Sequence, residues 1–534
     1  MFVTLLLSLG LIPMARAGVD GQWVIATPGG AGSILLDLKS DGGRLTGFLS
    51  GPNGKLEIVN GTIVGDAISF ESVVQLDRRT ITISYTGRIE GDEIHLTAGS
   101  REFGSEGQVT AKRRDADAPP PDWFSESPAP DEVVAWLKAN AVGLASIQPG
   151  SDFADMAPLK ARLKDARVVA MGEATHATRE FFQFKHRMFQ FLVQELGFTV
   201  FAIEGNWPES LKVNEYVLEG KGDPAEALAG LYFWTWQTEE VLELIRWMRH
   251  YNQDPTHKRK LRFYGFDMQT PGVAEANVLK YLQRVDTECR EKAAQTFAVL
   301  GPDGGNEAYE NSPVEIKHRT AESVAAILRR FDERKQDYIG RSSQDEWTMA
   351  RQNMVIVKQA EGKLGDQNEK GRALRDQAMA ENVKWILDQE PSGTKIMLWA
   401  HNGHIAGDAP GPPPMGAHLR RIFGDRVVLC GFLFNRGSFR ANDTGKMSTF
   451  TLGAPPIGSL DATFAAIRVP LFAVDLRHLP DGKVASWFDA PHFSRQIGAA
   501  YSEATAGVYL QRMRAARAFD LLIFVEKTTP SRSL

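Results

Sequence analysis

The chain has 534 residues, of which 43% are hydrophobic and 24% charged, and its formal net charge is −5 at neutral pH. One hydrophobic core rarely serves so long a chain, so we expect a globular protein with two domains. The charge gives no electrostatic reason to expect nucleic acid or a membrane surface as a partner. Two cysteines, Cys289 and Cys430, are too few for a disulfide framework.

The first segment has the pattern of a secretory signal peptide. An apolar run from Phe2 to Met14 precedes Ala15-Arg16-Ala17, which is an A-x-A cleavage pattern. The apolar run is too short to span a bilayer comfortably. The sequence therefore predicts a signal peptide at residues 1–17 and a secreted or periplasmic mature protein starting near Gly18. A cytosolic protein with a different start is the alternative.

The next segment, residues 18–113, has the pattern of a small all-β domain. Alternating runs such as Thr80-Ile81-Thr82-Ile83-Ser84-Tyr85 are separated by Gly-Asp, Asn-Gly and Gly-Gly turns. This pattern favours antiparallel hairpins that close into a barrel or a sandwich. The stretches 61–68 and 87–94 resemble each other in outline, as hairpins of a meander would. Residues 114–130 are rich in Pro, Asp, Ser and Ala and predict a linker.

Residues 131–534 alternate apolar runs with amphipathic stretches, which predicts an α/β domain with a mostly parallel sheet. A long stretch from about residue 272 to 387 contains several helical patterns and no convincing strand, so we expect a helical insertion or cap beside the sheet. The predicted strands are Ala166–Met171, Thr199–Ile203, Leu261–Phe266, Lys395–Ala400, Arg426–Leu433, Val469–Val474 and Leu521–Val525.

Acidic and imidazole side chains follow three of these strands at the point where each strand ends. Glu173 and His176 follow the first strand, Glu204 follows the second, and His401 and His404 follow the fourth. If the three strands are parallel neighbours, these side chains meet at one edge of the sheet, where open α/β sheets keep their sites. Such a set is either a catalytic constellation or a metal site.

Each of these groups has a functional and a structural interpretation. Glu173 can hold His176 in one tautomer and raise its basicity, leaving the other ring nitrogen for a proton of water or substrate; alternatively, it caps the following helix. Glu204 is either desolvated or paired with a cation, and the cation could be a structural Arg on the next strand. His401 and His404 either face a common centre or bond within their own loop.

Several motifs are missing from the sequence. It contains no G-x-S-x-G elbow, P-loop or strand-linked G-x-G-x-x-G, which leaves water activated by His and Glu. Histidine and carboxylate side chains also suit zinc, but no HExxH or CxxC spacing is present. We therefore expect no cofactor, with a divalent metal as the alternative.

Two cations and a group of aromatic residues complete the candidates. Lys185 and Arg375 would stabilise an oxyanion if they lay near the site, and otherwise they are surface charges. Aromatic residues cluster after the second strand, where they either line a substrate cleft or fill the core. From these groups, the predicted substrate-binding residues are Trp207, Trp234 and Arg375. The full aromatic cluster is Trp207, Tyr232, Phe233, Trp234 and Trp236.

The same segments resemble the erythromycin esterase family, in order and over roughly residues 165–440. The β domain and the linker lie outside the resemblance. The matching segments are Gly172-Glu173-Ala174-Thr175-His176, Glu180-Phe181-Phe182, Gly197-Phe198, Ile203-Glu204, Gly265-Phe266-Asp267, Arg375-Asp376, Met379-Ala380-Glu381-Asn382 and Trp399-Ala400-His401-Asn402-Gly403-His404.

The resemblance implies ester hydrolysis on an α/β fold with a helical part that forms a cleft. In the best-known members of the family, the reaction opens a macrolide lactone ring and confers antibiotic resistance. The family's histidine general base corresponds to His176, its acidic partners to Glu173 and Glu204, and its later histidines to His401 and His404. A cationic position on the first helix, often Arg in the family, corresponds to Lys185 in this chain.

The resulting hypothesis is an exported hydrolase that cleaves a small-molecule carboxylic ester or lactone with water activated by His176. In this hypothesis, Glu173 orients His176, while Glu204 and His401 position the water or protonate the leaving alkoxide. The residues expected to support charge are His404 and Lys185. Two alternatives are a metal-dependent hydrolase that uses the same residues and a secreted binding protein with a degenerate catalytic domain.

Overall fold

The computed structural model describes residues 18–26, 33–51, 54–76, 79–100, 105–115, 123–124, 126–301, 307–366, 369–443 and 445–534. The predicted signal peptide lies outside these described residues, as does part of the predicted linker. The chain forms two compact units, one of residues 1–125 with Ser502–Leu510 and the other of Glu126–Tyr501 with Gln511–Leu534. Within the described ranges, no helix is long and apolar enough to cross a membrane.

The first unit is a closed antiparallel barrel of eight strands, in which each strand pairs with the next and the last with the first. This confirms the predicted β domain and shows that it is a barrel. The two similar stretches lie at hairpins that turn at Gly65 and Gly91, where φ is 63° and 64°, a conformation that favours glycine. The strands are β1 (Gly21–Ala26), β2 (Ser33–Asp41), β3 (Arg44–Gly51), β4 (Gly54–Val64), β5 (Ala67–Leu76), β6 (Arg79–Glu90), β7 (Glu93–Ser100) and β8 (Ser105–Arg113).

The second unit is built on a mixed sheet, and all seven strands predicted for it are present. Its strands are β9 (Val142–Gly143), β10 (Val168–Met171), β11 (Val200–Asn206), β12 (Arg262–Asp267), β13 (Ile396–Trp399), β14 (Val427–Asp443), β15 (Lys446–Leu452), β16 (Leu471–Asp475) and β19 (Leu521–Thr528). A separate two-stranded sheet pairs β17 (Pro491–Arg495) with β18 (Leu510–Arg514).

The order of the main sheet is β12-β11-β13-β10-β14-β19-β16-β9, and β15 pairs with β14. Neighbours from β12 to β19 are parallel. At one edge, β16 pairs antiparallel with β19, and β9 pairs antiparallel with β16. The mostly parallel sheet is therefore confirmed. Strands β10 and β13 are buried along their whole length, which explains why they read as continuous apolar runs.

Helices cover the sheet, and in the order of the chain those from α7 to α13 come between β12 and β13. No strand interrupts this stretch in the part that the structure describes, which confirms the helical insertion. The helices are α1 (Asp131–Asn140), α2 (Ala157–Leu163), α3 (Arg179–Leu196), α4 (Trp207–Glu219), α5 (Pro224–Ala229), α6 (Glu239–Gln253), α7 (Gly272–Val285), α8 (Thr287–Leu300), α9 (Glu307–Glu310), α10 (Val314–Glu333), α11 (Lys335–Gly340), α12 (Gln344–Gly365), α13 (Glu369–Gln389), α14 (Asn402–Ile405), α15 (Met415–Phe423), α16 (Leu460–Ala465), α17 (Lys483–Asp489) and α18 (Ala515–Ala518).

The register of three neighbouring strands brings the candidate residues to one level. Met171 at the end of β10 lies opposite Trp399 at the end of β13, and Trp399 lies opposite Ile203 on β11. The residues that follow these positions therefore emerge side by side at the carboxyl edge of the sheet. Both cysteines, Cys289 and Cys430, are free and buried.

Candidate active site

Glu173 accepts hydrogen bonds from three side chains although it is fully buried. Its Oε1 lies 2.7 Å from Nδ1 of His176, and its Oε2 lies 2.5 Å from Nζ of Lys185 and 2.8 Å from Nε1 of Trp399. Burial by itself would raise the pKa of Glu173, but the charge of Lys185 and the bond to His176 outweigh it and hold that pKa below its ordinary value. The carboxylate is thus ionised and fixed in position.

Lys185 is the counter-ion of Glu173, and its position excludes the surface alternative. It lies on α3, which is buried on all sides from Phe181 to Val193, and its side chain has no exposed area. The ammonium also lies 4.4 Å from the centroid of the Trp399 ring, within the range of a cation–π contact. Burial lowers the pKa of Lys185 to about 8 against the opposing effect of Glu173, so the ammonium stays charged at neutral pH.

His176 directs one ring nitrogen to Glu173 and keeps the other away from it. Because the carboxylate can only accept, Nδ1 carries the proton and Nε2 is the basic nitrogen. The side chain is 13% exposed. Its ring lies edge-on to Trp236 with the centroids 6.2 Å apart, and 4.9 Å from the ring of His401. This is the arrangement required of a general base that takes a proton from water.

A second cluster forms around Arg375 of α13. Its guanidinium donates from Nε to Oδ1 of Asp267 at 3.2 Å, and from Nη2 to Oδ2 of Asp267 and Oε1 of Glu204 at 2.7 Å each. Burial would raise the pKa of Glu204, but His404 and Arg375 hold it far below its ordinary range. Two carboxylates therefore neutralise Arg375. A role in substrate binding stays a prediction for it.

His404 lies between opposite charges in this second cluster. Its Nδ1 is 2.8 Å from Oδ1 of Asp376, and its Nε2 is 3.4 Å from Oε1 of Glu204 and 3.0 Å from Nη1 of Arg375. Burial works against the charged ring, but Glu204 and Asp376 outweigh it and raise the pKa of His404. Because the guanidinium of Arg375 can only donate, its contact with Nε2 fits the tautomer of His404 that carries its proton on Nδ1, toward Asp376.

His401 links the two clusters through its main chain. Its backbone N–H donates to Oε2 of Glu204 at 3.0 Å. In its ring, Nδ1 accepts from the N–H of Gly403 at 3.1 Å, so that Nε2 carries the proton and donates to the carbonyl of Ile497 at 3.2 Å. Burial, with a smaller effect of His176, lowers the pKa of His401 to about 3. One of these two main-chain partners lies in the loop of His401 and the other at Ile497. A role of His401 in positioning water or protonating the leaving group stays a prediction.

The predicted aromatic residues lie in different places. Trp207 is 1% exposed and packs edge-on against Trp385 in the core, which differs from the expected cleft position because the first turn of α4 faces the core. Trp234 is half-buried, and its contact with a substrate stays a prediction. Trp236 contacts His176, and its indole donates to the carbonyl of Glu204 at 2.8 Å.

Three further site residues were not selected from the sequence: Asp267, Asp376 and Trp399. Asp267 follows the core of a predicted strand in the same way as Glu204, so the strand-end argument could have found it. Asp376 adjoins Arg375 on the same helix, but its partner lies on another element. Trp399 reads as a strand residue, and nothing in its neighbourhood signals the bond from its indole to Glu173.

Comparisons with known proteins identify the family of the chain. The family model for erythromycin esterase matches residues 193–528 of the chain, which is more than half of its length. The chain belongs to the erythromycin esterase family. The matched region includes Glu204, His401 and His404, and begins after Glu173 and His176 in the chain.

Two curated relatives of this erythromycin esterase family chain are hydrolases by name. The putative hydrolase YbfO of Bacillus subtilis (strain 168) is 24% identical over 74% of this chain and 91% of its own length. The erythromycin esterase type II of Escherichia coli is 25% identical over 65% of this chain and 89% of its own length. Together with the family model, these relatives support hydrolase activity.

Solved structures share the fold of the second unit. A protein from Bacillus cereus has a TM-score of 0.68 and 28% identity over 76% of this chain and 99% of its own. A succinoglycan biosynthesis protein has a TM-score of 0.65 and 27% identity over 75% of this chain and 98% of its own. An erythromycin esterase mutant in its open conformation has a TM-score of 0.60 and 16% identity over 72% of this chain and 97% of its own. This likeness concerns the fold alone.

The side chains of this erythromycin esterase family site are paired with one another. In the described ranges, no group of three or more His, Cys, Asp or Glu side chains is disposed to hold a metal ion. The carboxylates of the site are hydrogen-bonded to Lys, Arg and His side chains within their own clusters.

Proposed function

We propose that the protein hydrolyses a carboxylic ester or a lactone with water activated by His176. The observation that carries the proposal is the 2.7 Å contact between Nδ1 of His176 and the buried, ionised Glu173. A carboxylate in this position orients the imidazole and stabilises the imidazolium that forms when the ring takes a proton. Membership of the erythromycin esterase family and the hydrolase relatives support the same reaction class.

The proposed reaction has two steps. In the first, Nε2 of His176 removes a proton from water while the water oxygen forms a bond to the carbonyl carbon of the ester, and the π electrons of the carbonyl move onto its oxygen to give an oxyanion. In the second, the oxyanion re-forms the carbonyl, the carbon–oxygen bond to the leaving group breaks, and the proton on His176 passes to the departing alkoxide. The products are a carboxylic acid and an alcohol, or one hydroxy acid if the substrate is a lactone.

The remaining charged groups prepare the site for this proton transfer. Lys185 keeps Glu173 ionised, because a buried carboxylate without a counter-charge would take up a proton. Glu204 holds the backbone of His401 at 3.0 Å and so fixes the ring beside His176. When it is protonated, His404 supplies positive charge for the negative charge that develops on the substrate.

The proposed substrate is a small-molecule ester or lactone, and macrolides form one part of this class. Their place in it rests on the name of the Escherichia coli relative, which is only 25% identical. We propose that the reaction needs no cofactor. Incubation with a chelator, followed by zinc or manganese, tests this: a loss that the metal restores would favour the metal-dependent alternative.

The proposal is tested by measuring the hydrolysis of a panel of esters and lactones, macrolides included. His176→Ala is expected to lower kcat/KM by at least about 100-fold, the usual contribution of general base catalysis. His318→Ala is the matched control, because His318 lies on α10 with 71% of its side chain exposed. Equal activity in the wild type and His176→Ala would refute the mechanism, and a panel without turnover by either would favour the binding-protein alternative.

A further inference from the structure

A cavity of about 410 Å³ lies beside the segment that carries the two later histidines, and all of its lining residues belong to the second unit. Asn402 and Gly403 of this segment form part of the cavity wall. Other parts of the wall are apolar, with Met513 and Phe519 among them. A cavity of this size that combines apolar surface with a few polar groups is the usual form of a small-molecule site.

The wall of the cavity also holds the ring of His401. The N–H of Gly403, which lines the cavity, donates to Nδ1 of His401 at 3.1 Å. The other ring nitrogen, Nε2, donates to the carbonyl of Ile497 at 3.2 Å, and the preceding residue, Gln496, lines the cavity as well. The ring of His401 in turn lies 4.9 Å from the ring of His176. The cavity is therefore next to the proposed general base.

A short extended segment connects the cavity with His176. At its centre, Ile497 forms a parallel β-bridge with Thr175. In an extended chain, residues two apart lie on the same side, so Gln496 and Gly498 share one side of this segment. Gln496 lines the cavity, and a Cβ at Gly498 would lie 4.0 Å from Cδ2 of His176. The cavity and the imidazole thus lie along the same side of the segment, and Gly498 has no side chain to separate them.

Gln496 gives the cavity a buried polar group with unused hydrogen-bonding capacity. The residue is 7% exposed. Within the described ranges, the only hydrogen bond of its side chain is a long one, from Nε2 to Oγ of Ser494 at 3.4 Å. A buried amide normally satisfies both its N–H donors and its carbonyl acceptor. A ligand in the cavity would supply the missing partners.

Three arginines also line the cavity: Arg512, Arg514 and Arg517. Two of them have acidic partners outside the lining. Arg512 lies 3.1 Å from Oε1 of Glu126, and Arg517 donates from Nε and Nη2 to Asp489 at 2.5 and 2.9 Å. The exposed Arg514 forms no hydrogen bond or ion pair in the part of the chain that the structure describes, although its charge adds to that of Arg517 in lowering the pKa of Asp489.

The charges of the lining leave one guanidinium for a ligand. The lining contains one acid, Asp408, and its charge acts on Arg517. Arg514 is thus the arginine to which a ligand anion can bind. A guanidinium recognises a carboxylate through two parallel N–H donors, which adds geometric specificity to the attraction of the charges.

We propose that this cavity binds a carboxylate that the substrate carries at the end of an apolar chain, with Arg514 as its partner and the ester carbonyl at His176. This inference rests on the proposed function, because the position of the ester carbonyl comes from it. The apolar wall covers the chain, and Gln496 hydrogen-bonds to a polar group of the ligand. The preferred substrate is therefore the half ester of a dicarboxylic acid, which hydrolysis converts into the dicarboxylate and an alcohol.

The test compares half esters of linear dicarboxylic acids with their amides. The half esters are monoethyl succinate, adipate and suberate, and in the matched compounds a carboxamide replaces the free carboxylate. For at least one chain length, kcat/KM of the acid is expected to exceed that of the amide at least about tenfold, the size of a hydrogen bond between charged groups. Equal values at every length would refute the inference.

Arg514→Gln tests the residue itself. It is expected to lower the ratio of acid to amide about tenfold, through a higher KM for the acid, while Arg514→Lys retains part of the ratio because it keeps the charge. Arg329→Gln is the matched control, because Arg329 is an exposed arginine on α10 outside the cavity lining, and it leaves the ratio unchanged. An unchanged ratio in Arg514→Gln overturns the assignment, while the proposed function still stands if His176→Ala abolishes turnover of both compounds.

A binding measurement separates this inference from the proposed reaction. The probes are hexanoate and hexanamide, which contain no ester, and they are titrated into the wild type by calorimetry. Hexanoate is expected to bind more tightly than hexanamide, and Arg514→Gln removes most of that difference, whereas Arg329→Gln does not. Equal binding of the two probes refutes the inference whether or not any ester is hydrolysed. Where an ester is hydrolysed, hexanoate competes with it, and non-competitive inhibition would refute a place for the substrate in this cavity.

Discussion

Replacing Lys185 with Met tests whether the carboxylate at the centre of the site depends on a buried counter-charge. Nζ of Lys185 lies 2.5 Å from Oε2 of Glu173, and neither side chain has any exposed area. In Lys185→Met, the carboxylate keeps two hydrogen-bond donors, His176 and Trp399, but loses the only full positive charge in direct contact with it in the described structure. Burial then dominates, and the pKa of Glu173 rises.

The magnitude follows from the burial of the pair. Breaking a buried ion pair by removing one partner costs about 3–5 kcal/mol, because the other charge stays in a medium that solvates it poorly. Lys185→Met should therefore lower the free energy of unfolding by about that amount. Glu173→Gln combined with Lys185→Met removes both charges and should recover at least about 2 kcal/mol relative to Lys185→Met alone.

The assay is urea denaturation of the three variants and the wild type, followed by tryptophan fluorescence. Lys160→Met is the matched control, because Lys160 pairs with Glu195 at 2.8 Å while 50% and 39% of the two side chains are exposed. Exposed pairs contribute little, so this control should change stability by less than about 1 kcal/mol. A loss in Lys185→Met no larger than in Lys160→Met would refute the argument that burial makes the pair essential.

Three further predictions concern pH and packing. Ester hydrolysis should decline above about pH 8, because burial lowers the pKa of Lys185 to about 8. The arginine in Lys185→Arg stays charged, so this variant should move the decline to higher pH. An unchanged pH profile in Lys185→Arg would contradict the prediction. The pKa of His404 is raised above 6.5, so its contribution to stability is complete below about pH 6.5 and is lost as the pH rises through the folded-state pKa. The urea midpoint of the wild type should therefore fall over this pH range, and the midpoint of His404→Gln should lack this loss. A Cβ at Gly172 would collide with the buried amide of Asn402, so Gly172→Ala should cost about 1–3 kcal/mol of stability, whereas Gly143→Ala, with open space around it, should not.

Much of the fold could be predicted because the relevant signals are local. Continuous apolar runs such as Val168–Met171 and Ile396–Trp399 are typical of buried strands, and both form such strands. The absence of strand patterns between β12 and β13 indicated the helical insertion. The strand-end argument required the three strands to be parallel neighbours, and the order β11-β13-β10 meets that condition, so that Glu173, Glu204 and the histidines follow strands that end at one edge. The barrel followed from turns and alternation, although the choice between barrel and sandwich depended on the pairing of β1 with β8.

The partners within the site depended on contacts that the sequence does not encode locally. Lys185 reaches Glu173 because α3 packs against the sheet, as its ring contacts with Trp399 and Phe432 show. Arg375 reaches Asp267 across 108 positions of the chain. His401 has its ring held by the carbonyl of Ile497, 96 positions further along the chain.

The sequence by itself determined the element types, the parallel sheet and the residues that follow each strand, because burial and turn formation are read from neighbours in the chain. The tertiary structure decided the rest. Strand order and register, together with the docking of α3 and α13, determined which charge meets which, and so which histidine carries a free basic nitrogen. Ionic pairing acts over a few ångströms in space, and only the folded chain brings residues from distant elements within that distance.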